Sequence, residues 1–494
     1  MIRKHLNTTD YYTLMRRTKI IATLGPATDQ PGMLEKLLVA GVDVFRLNYS
    51  HQTHVEHEKR MKEIRRLSHQ HKHAVAVIAD LQGPKIRIER FKDGKIQLRE
   101  GANFNINTEL ASDAGDETQV GVSYKELPND VEAGDKLMVD DGRVVLQVNS
   151  VDDHIIDCEV ITGGILSNNK GINLQGGGLS ASAVTEKDIE DMKHATKVKV
   201  DYIAISFPRD ADDIRMARKM MDECGCKAQL ISKIERAEAL NHVEEMVEAS
   251  DAIMIARGDL GVEIGDAALP PVQKSLIKMA RDMDRAVITA TQMMESMIEN
   301  KIPTRAEVFD VANAVIDGTD AVMLSGETSI GHYPDKVVEA MSSICEEAEK
   351  QRSVRVSDHR INQRFETISE AIAMSSMYSA NHIGAKAICT LTETGSTCLW
   401  MSRISSGIPI FAFARHSSTR RRVALYRGVY PMKFDITHTD PLEANKQMID
   451  QLIAQGTVED GDFVIITKGD LRGRRGGTNN MKIIQVGQAL EHTL

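Results

Sequence analysis

Hydrophobic residues fall into eight short runs, each apolar over about four to six positions and polar at its C-terminal end. All but the third are followed by a segment with helical spacing. Continuous apolar runs that alternate with helices are typical of parallel strands buried on both faces. The runs lie at residues 17–25, 42–50, 73–83, 201–207, 228–235, 251–259, 286–292 and 320–327. They predict an α/β fold, a (β/α)8 TIM barrel, with a doubly wound open sheet as the alternative.

The third run leads into residues 84–180, where short alternating segments replace the expected helix. Two Asp-Gly pairs, at residues 93–94 and 141–142, stand between alternating residues, which is the pattern of β-hairpins. We therefore predict an inserted all-β lid domain. Helical spacing returns after it, with Thr185 as the candidate N-cap.

A glycine cluster at the end of this insertion, residues 176–181, matches the G-x-G-x-x-A phosphate-binding pattern. In dinucleotide-binding folds the ribose-binding acid follows a strand. Here the acid at the right distance, Asp201, precedes a strand, so we interpret the glycines as the hinge that leaves the insertion. The sequence contains no P-loop motif.

Beyond about residue 355 the alternation of strands and helices starts again, which predicts a separate α/β domain. The predicted organisation is an N-terminal segment (1–17), the TIM-barrel catalytic domain (18–83 and 181–354), a β-barrel-like lid domain (84–180) and a C-terminal α/β regulatory domain (355–494).

Composition narrows the class of protein. The net charge of −10 gives no support for nucleic-acid binding, although local basic pockets for small anions remain possible. The first residues lack the apolar core of a signal peptide, and no apolar run approaches a membrane span. The six cysteines, including Cys224 and Cys226, are best interpreted as scattered reduced thiols. We expect a cytoplasmic protein with no nucleic-acid or membrane partner.

Polar side chains stand at the ends of successive strands, where a TIM barrel builds its active site. Lys233 and Glu235 end the fifth run, and Arg257 and Asp259 end the sixth. Strand-end acids often only cap the next helix, but here acid and base occur together. Two carboxylates suit Mg²⁺, which keeps waters and shares its shell with substrate phosphate. We favour a metal site over helix capping.

The second and third runs also end in polar groups, Arg46, Asn48, Ser50 and His51 in one and Asp80, Lys85 and Arg87 in the other. A lone arginine after a strand is usually solvated. Arg46 and Arg87 at the same barrel face as Lys233 are better interpreted as an anion clamp.

These motifs, "FRLNYSH", "DLQGPKIR", "SKIERAE", "ARGDLGVEI", "TATQMMESM" and "PTRAEVFDVANAVIDGTDAVMLSGET", together with the C-terminal α/β region, resemble those of pyruvate kinases. The resemblance is collinear from about Thr18 onward and is greatest to the bacterial branch that carries "DLQGPKIR". It implies transfer of phosphate from phosphoenolpyruvate to ADP, giving pyruvate and ATP in the last step of glycolysis.

The resemblance also implies residue roles. Lys233 would neutralise the phosphoryl group in transfer, and Thr291, Ser325 and Glu327 would form the relay that protonates the enolate. The residues it assigns to the substrate are Arg46, Lys233, Gly258, Asp259 and Thr291. Those it assigns to the nucleotide are Asn48, His51, Arg87 and Lys170. Glu235 and Asp259 would hold Mg²⁺ (or Mn²⁺), and the insertion would close over the site to exclude water.

Two other functions stay open on the sequence. A metal-dependent aldolase or lyase acting on a pyruvate enolate could use the same acid pair. It would not need Lys233 with a nucleotide-binding lid. A metabolite sensor built on an inactive barrel is disfavoured because Lys233, Glu235, Asp259 and Thr291 are all present.

The C-terminal region contains a Thr/Gly-rich turn after a predicted strand, a pattern that offers backbone N–H groups and hydroxyls to phosphate. A solvated basic loop is the simpler interpretation of the later segment around Arg472, Arg474 and Arg475. The resemblance implies that the two loops form an effector site in a homotetramer activated by a sugar phosphate or a nucleotide monophosphate. Its residues would be Thr392, Thr394, Gly395, Ser396, Thr397 and Arg472.

The resemblance also implies a potassium site, whose ligands would be Asn48, Ser50, Asp80 and Leu81. Potassium-dependent pyruvate kinases resemble "DTKGPEIR" where this chain has "DLQGPKIR", so Lys85 replaces a glutamate. An ammonium there would repel K⁺ and could supply the same charge itself. We predict that K⁺ is not required, with a solvent-pointing Lys85 and ordinary K⁺ binding as the alternative.

Overall fold

The computed structural model describes residues 15–351, 364–435, 440–470 and 477–488. Its strands, numbered along the chain, are β1 (Lys19–Thr23), β2 (Val44–Asn48), β3 (Ala76–Asp80), β4 (Lys95–Leu98), β5 (Asn103–Asn107), β6 (Gln119–Val120), β7 (Lys136–Val139), β8 (Val144–Asp152), β9 (Ile155–Thr162), β10 (Gly164–Ser167), β11 (Ile172–Leu174), β12 (Tyr202–Ile205), β13 (Gln229–Ile234), β14 (Ala252–Ala256), β15 (Ala286–Ala290), β16 (Ala321–Leu324), β17 (Ala387–Leu391), β18 (Ile410–Ala414), β19 (Val429–Lys433), β20 (Phe463–Lys468) and β21 (Asn480–Gln485).

The helices alternate with these strands through most of the chain. They are α1 (Met33–Ala40), α2 (His54–Gln70), α3 (Leu127–Asp130), α4 (Glu186–Val198), α5 (Ala211–Glu223), α6 (Val243–Ala249), α7 (Arg257–Ile264), α8 (Leu269–Asp282), α9 (Arg305–Asp317), α10 (Gly326–Ser329), α11 (Pro334–Ala348), α12 (Ile368–Ile383), α13 (Ser396–Arg403), α14 (Ser417–Val423) and α15 (Pro441–Ala454).

Eight strands close into one barrel in the order β1-β16-β15-β14-β13-β12-β3-β2. All eight predicted runs are confirmed as its strands, and closure rules out the open-sheet alternative. Every residue of β1, β3, β14 and β15 is buried, which is why these segments are apolar throughout rather than alternating.

Local signals fix where the barrel helices begin. Thr53 caps α2 and exchanges hydrogen bonds with Glu56, and Thr304 does the same with Glu307 at α9. The predicted cap Thr185 is confirmed, since its hydroxyl accepts from the Asp188 N–H and donates to the Asp188 carboxylate.

The insertion consists of a six-stranded sheet, β11-β7-β8-β9-β5-β6, and a two-stranded sheet, β10-β4, around its own apolar core. The second Asp-Gly pair joins the antiparallel neighbours β7 and β8, as predicted. The hairpin predicted at the first Asp-Gly pair, residues 93–94, is wrong in its strand pairing. Residues 93–94 do make a turn, but the following β4 pairs with β10. The glycine cluster lies between β11 and α4, and Gly176, Gly177 and Gly178 all have positive φ angles.

The described part of the C-terminal region forms a sheet in the order β19-β18-β17-β20-β21, parallel except for β21. The strand order reverses between β17 and β20, and ligands bind at such points in open α/β sheets. The predicted effector turn follows β17.

Two compact units can be distinguished within the chain. The first comprises residues up to Ala79, Lys197–Ile203 and residues from Ile277 onward, and the second comprises Asp80–Thr196 and Ala204–Leu276. These units cut across the predicted domains, whose boundaries stay predictions. Across the described ranges, no helix has the length and apolar character that a membrane crossing requires.

Candidate active site

A buried ion cluster lies at the end of β13 in the second unit. The Lys233 ammonium contacts Glu235 Oε1 at 2.8 Å and Asp80 Oδ1 at 3.4 Å. It also donates to Ser206 Oγ at 2.8 Å. Lys233 is 9% exposed and both carboxylates are 1% exposed. Charges this deep must be paired, so the cluster holds a single ammonium in one defined position.

Ser206 was missed by sequence reasoning. It follows β12, and its hydroxyl also donates to the Leu81 carbonyl at 2.7 Å. The next residue, Phe207, has φ +58° and donates its N–H to Glu235 Oε2 at 2.8 Å. The rule that selected Lys233, a polar residue at a barrel strand end, would have selected Ser206 as well.

The carboxylate pair predicted to hold a metal is brought together at the ends of β13 and β14. Burial raises the pKa of Glu235, the Lys233 ammonium offsets part of this rise, and the negative charge of Asp259 adds to it. The two carboxylates are close enough to repel one another. Their oxygens are the hard ligands that a divalent cation such as Mg²⁺ prefers. No group of three or more His, Cys, Asp or Glu side chains that could hold a metal occurs in the described ranges. The pair fits a Mg²⁺ ion that takes its remaining ligands from substrate and water.

Lys85 forms an ion pair with Asp259, with Nζ 3.0 Å from Oδ1. Its side chain is 25% exposed. Lys85 therefore does not point to solvent, which removes that part of the alternative, while independence from K⁺ stays a prediction. At the position where the resemblance gives potassium-dependent pyruvate kinases a glutamate, this chain therefore places a positive charge beside Asp259, a predicted metal ligand.

Arg87 and Lys170, predicted to reach the nucleotide phosphates, are brought together at the base of the insertion. Arg87 Nη1 donates to the Asn169 carbonyl at 3.0 Å, and the Lys170 ammonium pairs with Asp140 at 2.8 Å. The backbone links them further, because the Ile88 N–H donates to the Lys170 carbonyl at 2.9 Å. The two cationic residues thus lie on paired backbone segments of the insertion, and each side chain has a partner of its own.

The end of β2, in the first unit, carries the other predicted anion ligand. Arg46 Nη1 donates to Thr23 Oγ1 at 3.1 Å. The loop that follows is tied back to Asn48, whose side-chain oxygen accepts the Ser50 N–H and whose carbonyl accepts the His51 N–H.

The predicted proton relay lies at the ends of β15 and β16. Thr291 has φ +64°, a strained conformation for a β-branched residue, and its hydroxyl donates to the Ala290 carbonyl at 2.6 Å. Glu327 accepts the N–H groups of Met294 and Ser325, so it fixes the loops that carry Thr291 and Ser325. Burial raises the pKa of Glu327. The Ser325 hydroxyl is buried without a hydrogen-bond partner in the described residues.

The predicted effector turn is ordered by its own hydroxyls. Thr392 Oγ1 accepts the Gly395 N–H, and the Thr394 and Ser396 hydroxyls are 2.9 Å apart. Thr397 reaches the second loop by a 2.9 Å contact with Thr478. Three predicted arginines of that loop lie outside the described residues, namely Arg472, Arg474 and Arg475.

Comparison with known proteins identifies the family of the chain. Residues 15–338 match the family model of the pyruvate kinase barrel domain, and residues 370–484 match that of the pyruvate kinase alpha/beta domain. Pyruvate kinase II of Salmonella typhimurium is 51% identical over 476 residues, covering 96% of this chain and 99% of its own. A pyruvate kinase of Buchnera aphidicola subsp. Schizaphis graminum is 52% identical with the same coverage, and one of Haemophilus influenzae is 52% identical over 92% of this chain and 96% of its own.

The structure has a closed TIM barrel, an inserted β domain and a C-terminal α/β domain, and its match to curated pyruvate kinases over nearly the full chain shows an enzyme of the phosphotransferase class. The chain belongs to the pyruvate kinase family.

Proposed function

We propose that the enzyme transfers the phosphoryl group of phosphoenolpyruvate to ADP, giving pyruvate and ATP, as the last step of glycolysis in the cytoplasm. The observation that carries this proposal is the buried Lys233 ammonium, held by Glu235, Asp80 and Ser206. Phosphoryl transfer needs little covalent chemistry from a protein but needs positioned positive charge, and this cluster supplies it.

In this reaction the bond between phosphorus and the enol oxygen breaks, and a bond from phosphorus to a β-phosphate oxygen of ADP forms. Lys233 neutralises the phosphoryl oxygens during transfer, and Arg46 binds the same group. The Gly258 N–H and Thr291 bind the substrate. Arg87 and Lys170 receive the nucleotide phosphates, with Asn48 and His51 near the nucleotide, and the pairing of the backbone at Ile88 and Lys170 supports this role of the two cations.

Glu235 and Asp259 hold Mg²⁺ (or Mn²⁺) in this proposal. When bound, the ion neutralises the oxygens of the substrate carboxylate and enolate. Each carboxylate contacts a lysine ammonium in the structure, Glu235 with Lys233 and Asp259 with Lys85, which supports a site built for positive charge.

The enolate left by transfer takes a proton on its methylene carbon to become pyruvate. Thr291, Ser325 and Glu327 carry out this delivery in our proposal. The buried Ser325 hydroxyl supports it, because an unsatisfied O–H group can bind a water or the substrate. Glu327 holds the two loops in place through backbone N–H groups.

Potassium is not required in this proposal, although Asn48, Ser50, Asp80 and Leu81 leave the elements of a K⁺ site. The resemblance implies that potassium-dependent pyruvate kinases hold their monovalent cation at the end of the third barrel strand. The Lys85 ammonium, 3.0 Å from Asp259, supports replacement of that cation by a side chain.

Regulation by a phosphorylated metabolite in a homotetramer completes the proposal. The turn from Thr392 to Thr397 begins α13, so backbone N–H groups and hydroxyls converge where strand order reverses. Adding sugar phosphates and nucleotide monophosphates singly should lower the half-saturating phosphoenolpyruvate concentration for at least one of them. Light scattering should give the mass of a tetramer.

A lactate-dehydrogenase-coupled assay tests the reaction itself. Pyruvate should form only when phosphoenolpyruvate, ADP and Mg²⁺ are all present, with ATP formed in equal amount. Pyruvate release without ADP would instead favour a lyase or phosphatase activity.

A further inference from the structure

Another buried carboxylate, Glu263, lies in the last turn of α7 and has no role in the chemistry described so far. It is 4% exposed. Its Oε2 accepts the Ala237 N–H at 2.8 Å, and its Oε1 accepts from the Asn173 side-chain amide at 3.3 Å. Ala237 stands two residues after Glu235, while Asn173 belongs to β11 of the insertion. The Glu263 carboxylate thus connects two parts of the chain, the turn that follows β13 and the inserted domain, called the lid below.

The return segment of the insertion, residues 172–179, has further attachments to the same turn. Arg236 Nη2 donates to the Leu179 carbonyl at 2.5 Å, and Glu238 accepts the Gly178 N–H. The Glu263 carbonyl accepts the Gly176 N–H at 3.2 Å. Only the Glu263 carboxylate, among these groups, binds both a side chain of the insertion, Asn173, and a backbone N–H of the turn after β13, that of Ala237.

We propose that Glu263 is a positioning residue for phosphoryl transfer, which fixes the lid's return segment to the turn that carries Glu235 and follows Lys233. This inference rests on the proposed function, because the position of that turn matters only if Lys233 and Glu235 act on the substrate. The first turn of the same helix carries Gly258 and Asp259, so Glu263 links this helix, the turn after β13 and the return segment of the insertion, whose relative positions matter for the reaction.

Protonation would weaken this link. Both partners of the carboxylate are N–H donors, so an ionised group satisfies both, whereas a protonated one places an O–H against a donor. Burial raises the pKa of Glu263 to about 7, and the Ala237 N–H, Arg236 and Asn173 offset part of the rise.

The charged groups around Glu263 come from two neighbouring elements. Arg236 and Glu238 belong to the turn after β13, and Glu238 raises the pKa of Glu263 further. Lys85, in the segment that enters the insertion, lines the same small cavity of about 20 Å³. A cavity of that size holds about one water. The strand β11 contributes no ionisable group, since it consists of Ile172, Asn173 and Leu174.

The test uses the full-length enzyme and the pH dependence of kcat from about pH 5.5 to about 8.5. Wild type should lose turnover on the acid side of about pH 7. Glu263→Gln should lower kcat by about tenfold or more, change KM for phosphoenolpyruvate less than twofold, and lose this acid limb. Glu263→Asp should keep the limb with intermediate kcat.

Two neighbouring variants should move the limb in opposite directions. Asn173→Ala removes a donor that stabilises the ionised form, so the limb should move to higher pH. Glu238→Gln removes a negative charge, so the limb should move to lower pH. Glu244→Gln, on the exposed face of α6, is the matched control and should leave the profile unchanged.

The rate of amide hydrogen exchange measures the connection made by Glu263 without relying on catalytic activity. The Ala237 N–H and residues 172–179 should exchange faster in Glu263→Gln than in wild type. The inference would be overturned if Glu263→Gln kept the wild-type kcat and pH profile, or if its amide hydrogen exchange were unchanged.

A wild-type enzyme with no ADP-dependent turnover of phosphoenolpyruvate would overturn the proposed function, and with it the positioning role of Glu263. If Glu263→Gln does not fold, the opposite shifts in Asn173→Ala and Glu238→Gln decide, and a limb that moves in neither variant rejects the inference.

Discussion

Two buried carboxylates at the ends of barrel strands have opposite surroundings. Glu235, after β13, contacts the Lys233 ammonium and feels the charge of Asp259. Glu327, after β16, accepts two backbone N–H groups, from Met294 and Ser325. The same position in the fold therefore serves two purposes. The residues around Glu235, here called the charge region, pair opposite charges. The residues around Glu327, here called the loop region, fix the backbone of two loops.

The largest effect should come from the charge region. Lys233→Met should lower kcat by about three orders of magnitude, ~4 kcal/mol of transition-state stabilisation, because one positioned charge is removed. The coupled assay measures this effect. Lys187→Met, which breaks an ion pair with Asp191 on α4, is the control and should retain near-normal turnover.

Glu327→Gln should lower kcat by about tenfold to a hundredfold, since an amide N–H₂ placed against a backbone N–H displaces one of the two loops. The metal dependence should not change, which separates this variant from those of the charge region. Measuring kcat against Mg²⁺ concentration tests both statements. A changed Mg²⁺ dependence would contradict the division between the regions.

Glu235→Gln should raise the Mg²⁺ concentration needed for half-maximal rate by about tenfold or more, because one of two carboxylate ligands becomes neutral. Titrating Mg²⁺ at saturating substrates measures the shift. Glu56→Gln, at the exposed start of α2, should leave the titration unchanged. A normal Mg²⁺ titration in Glu235→Gln would show that the pair does not hold the metal.

Lys85→Glu should create a requirement for K⁺, and wild type should need none. Reversing the charge beside Asp259 leaves an excess of negative charge that a monovalent cation would neutralise. Rates with tetramethylammonium as the only monovalent cation, before and after adding K⁺ at fixed ionic strength, measure this. Strong K⁺ activation of the wild-type enzyme would reject the replacement of the cation by Lys85.

The last effect concerns stability rather than turnover. The raised pKa of Glu263, about 7 against 4.5, means that the folded protein keeps a proton the unfolded chain releases between these values. This group therefore favours the fold at low pH, and its contribution is lost as pH rises from about 4.5 to about 7, by up to ~3 kcal/mol. The melting temperature of Glu263→Gln relative to wild type should therefore increase over this range. A constant difference would contradict the buried, titrating carboxylate.

The barrel could be predicted because its strands are buried on both faces and therefore apolar throughout, as in β1 and β14. The strand-end rule also selected Lys233 and Glu235, which the structure brings into contact at 2.8 Å. The pairing of β4 with β10 was missed, because an Asp-Gly turn predicts a local hairpin while β10 is about seventy residues away in sequence.

Neither the apolar-run pattern nor the strand-end rule could have identified Glu263 from the sequence. It stands in the last turn of a helix, several residues after the strand end, and nothing in its local sequence distinguishes it from a solvated glutamate. Its importance comes from Asn173 and Ala237, which only the folded chain brings to it. Non-local hydrogen bonds of this kind leave no periodic signal in the sequence.

The central claim, that the Lys233 cluster carries phosphoryl transfer, is tested most directly by the first turnover. Steady-state rates can be limited by product release or lid opening. Rapid quenching of enzyme mixed with phosphoenolpyruvate, ADP and Mg²⁺ measures ATP formed at the site before release. We predict that Lys233→Met slows this step by about three orders of magnitude while hydrogen exchange of the barrel strands stays as in wild type. Formation of the first ATP at the wild-type rate in Lys233→Met would contradict the account.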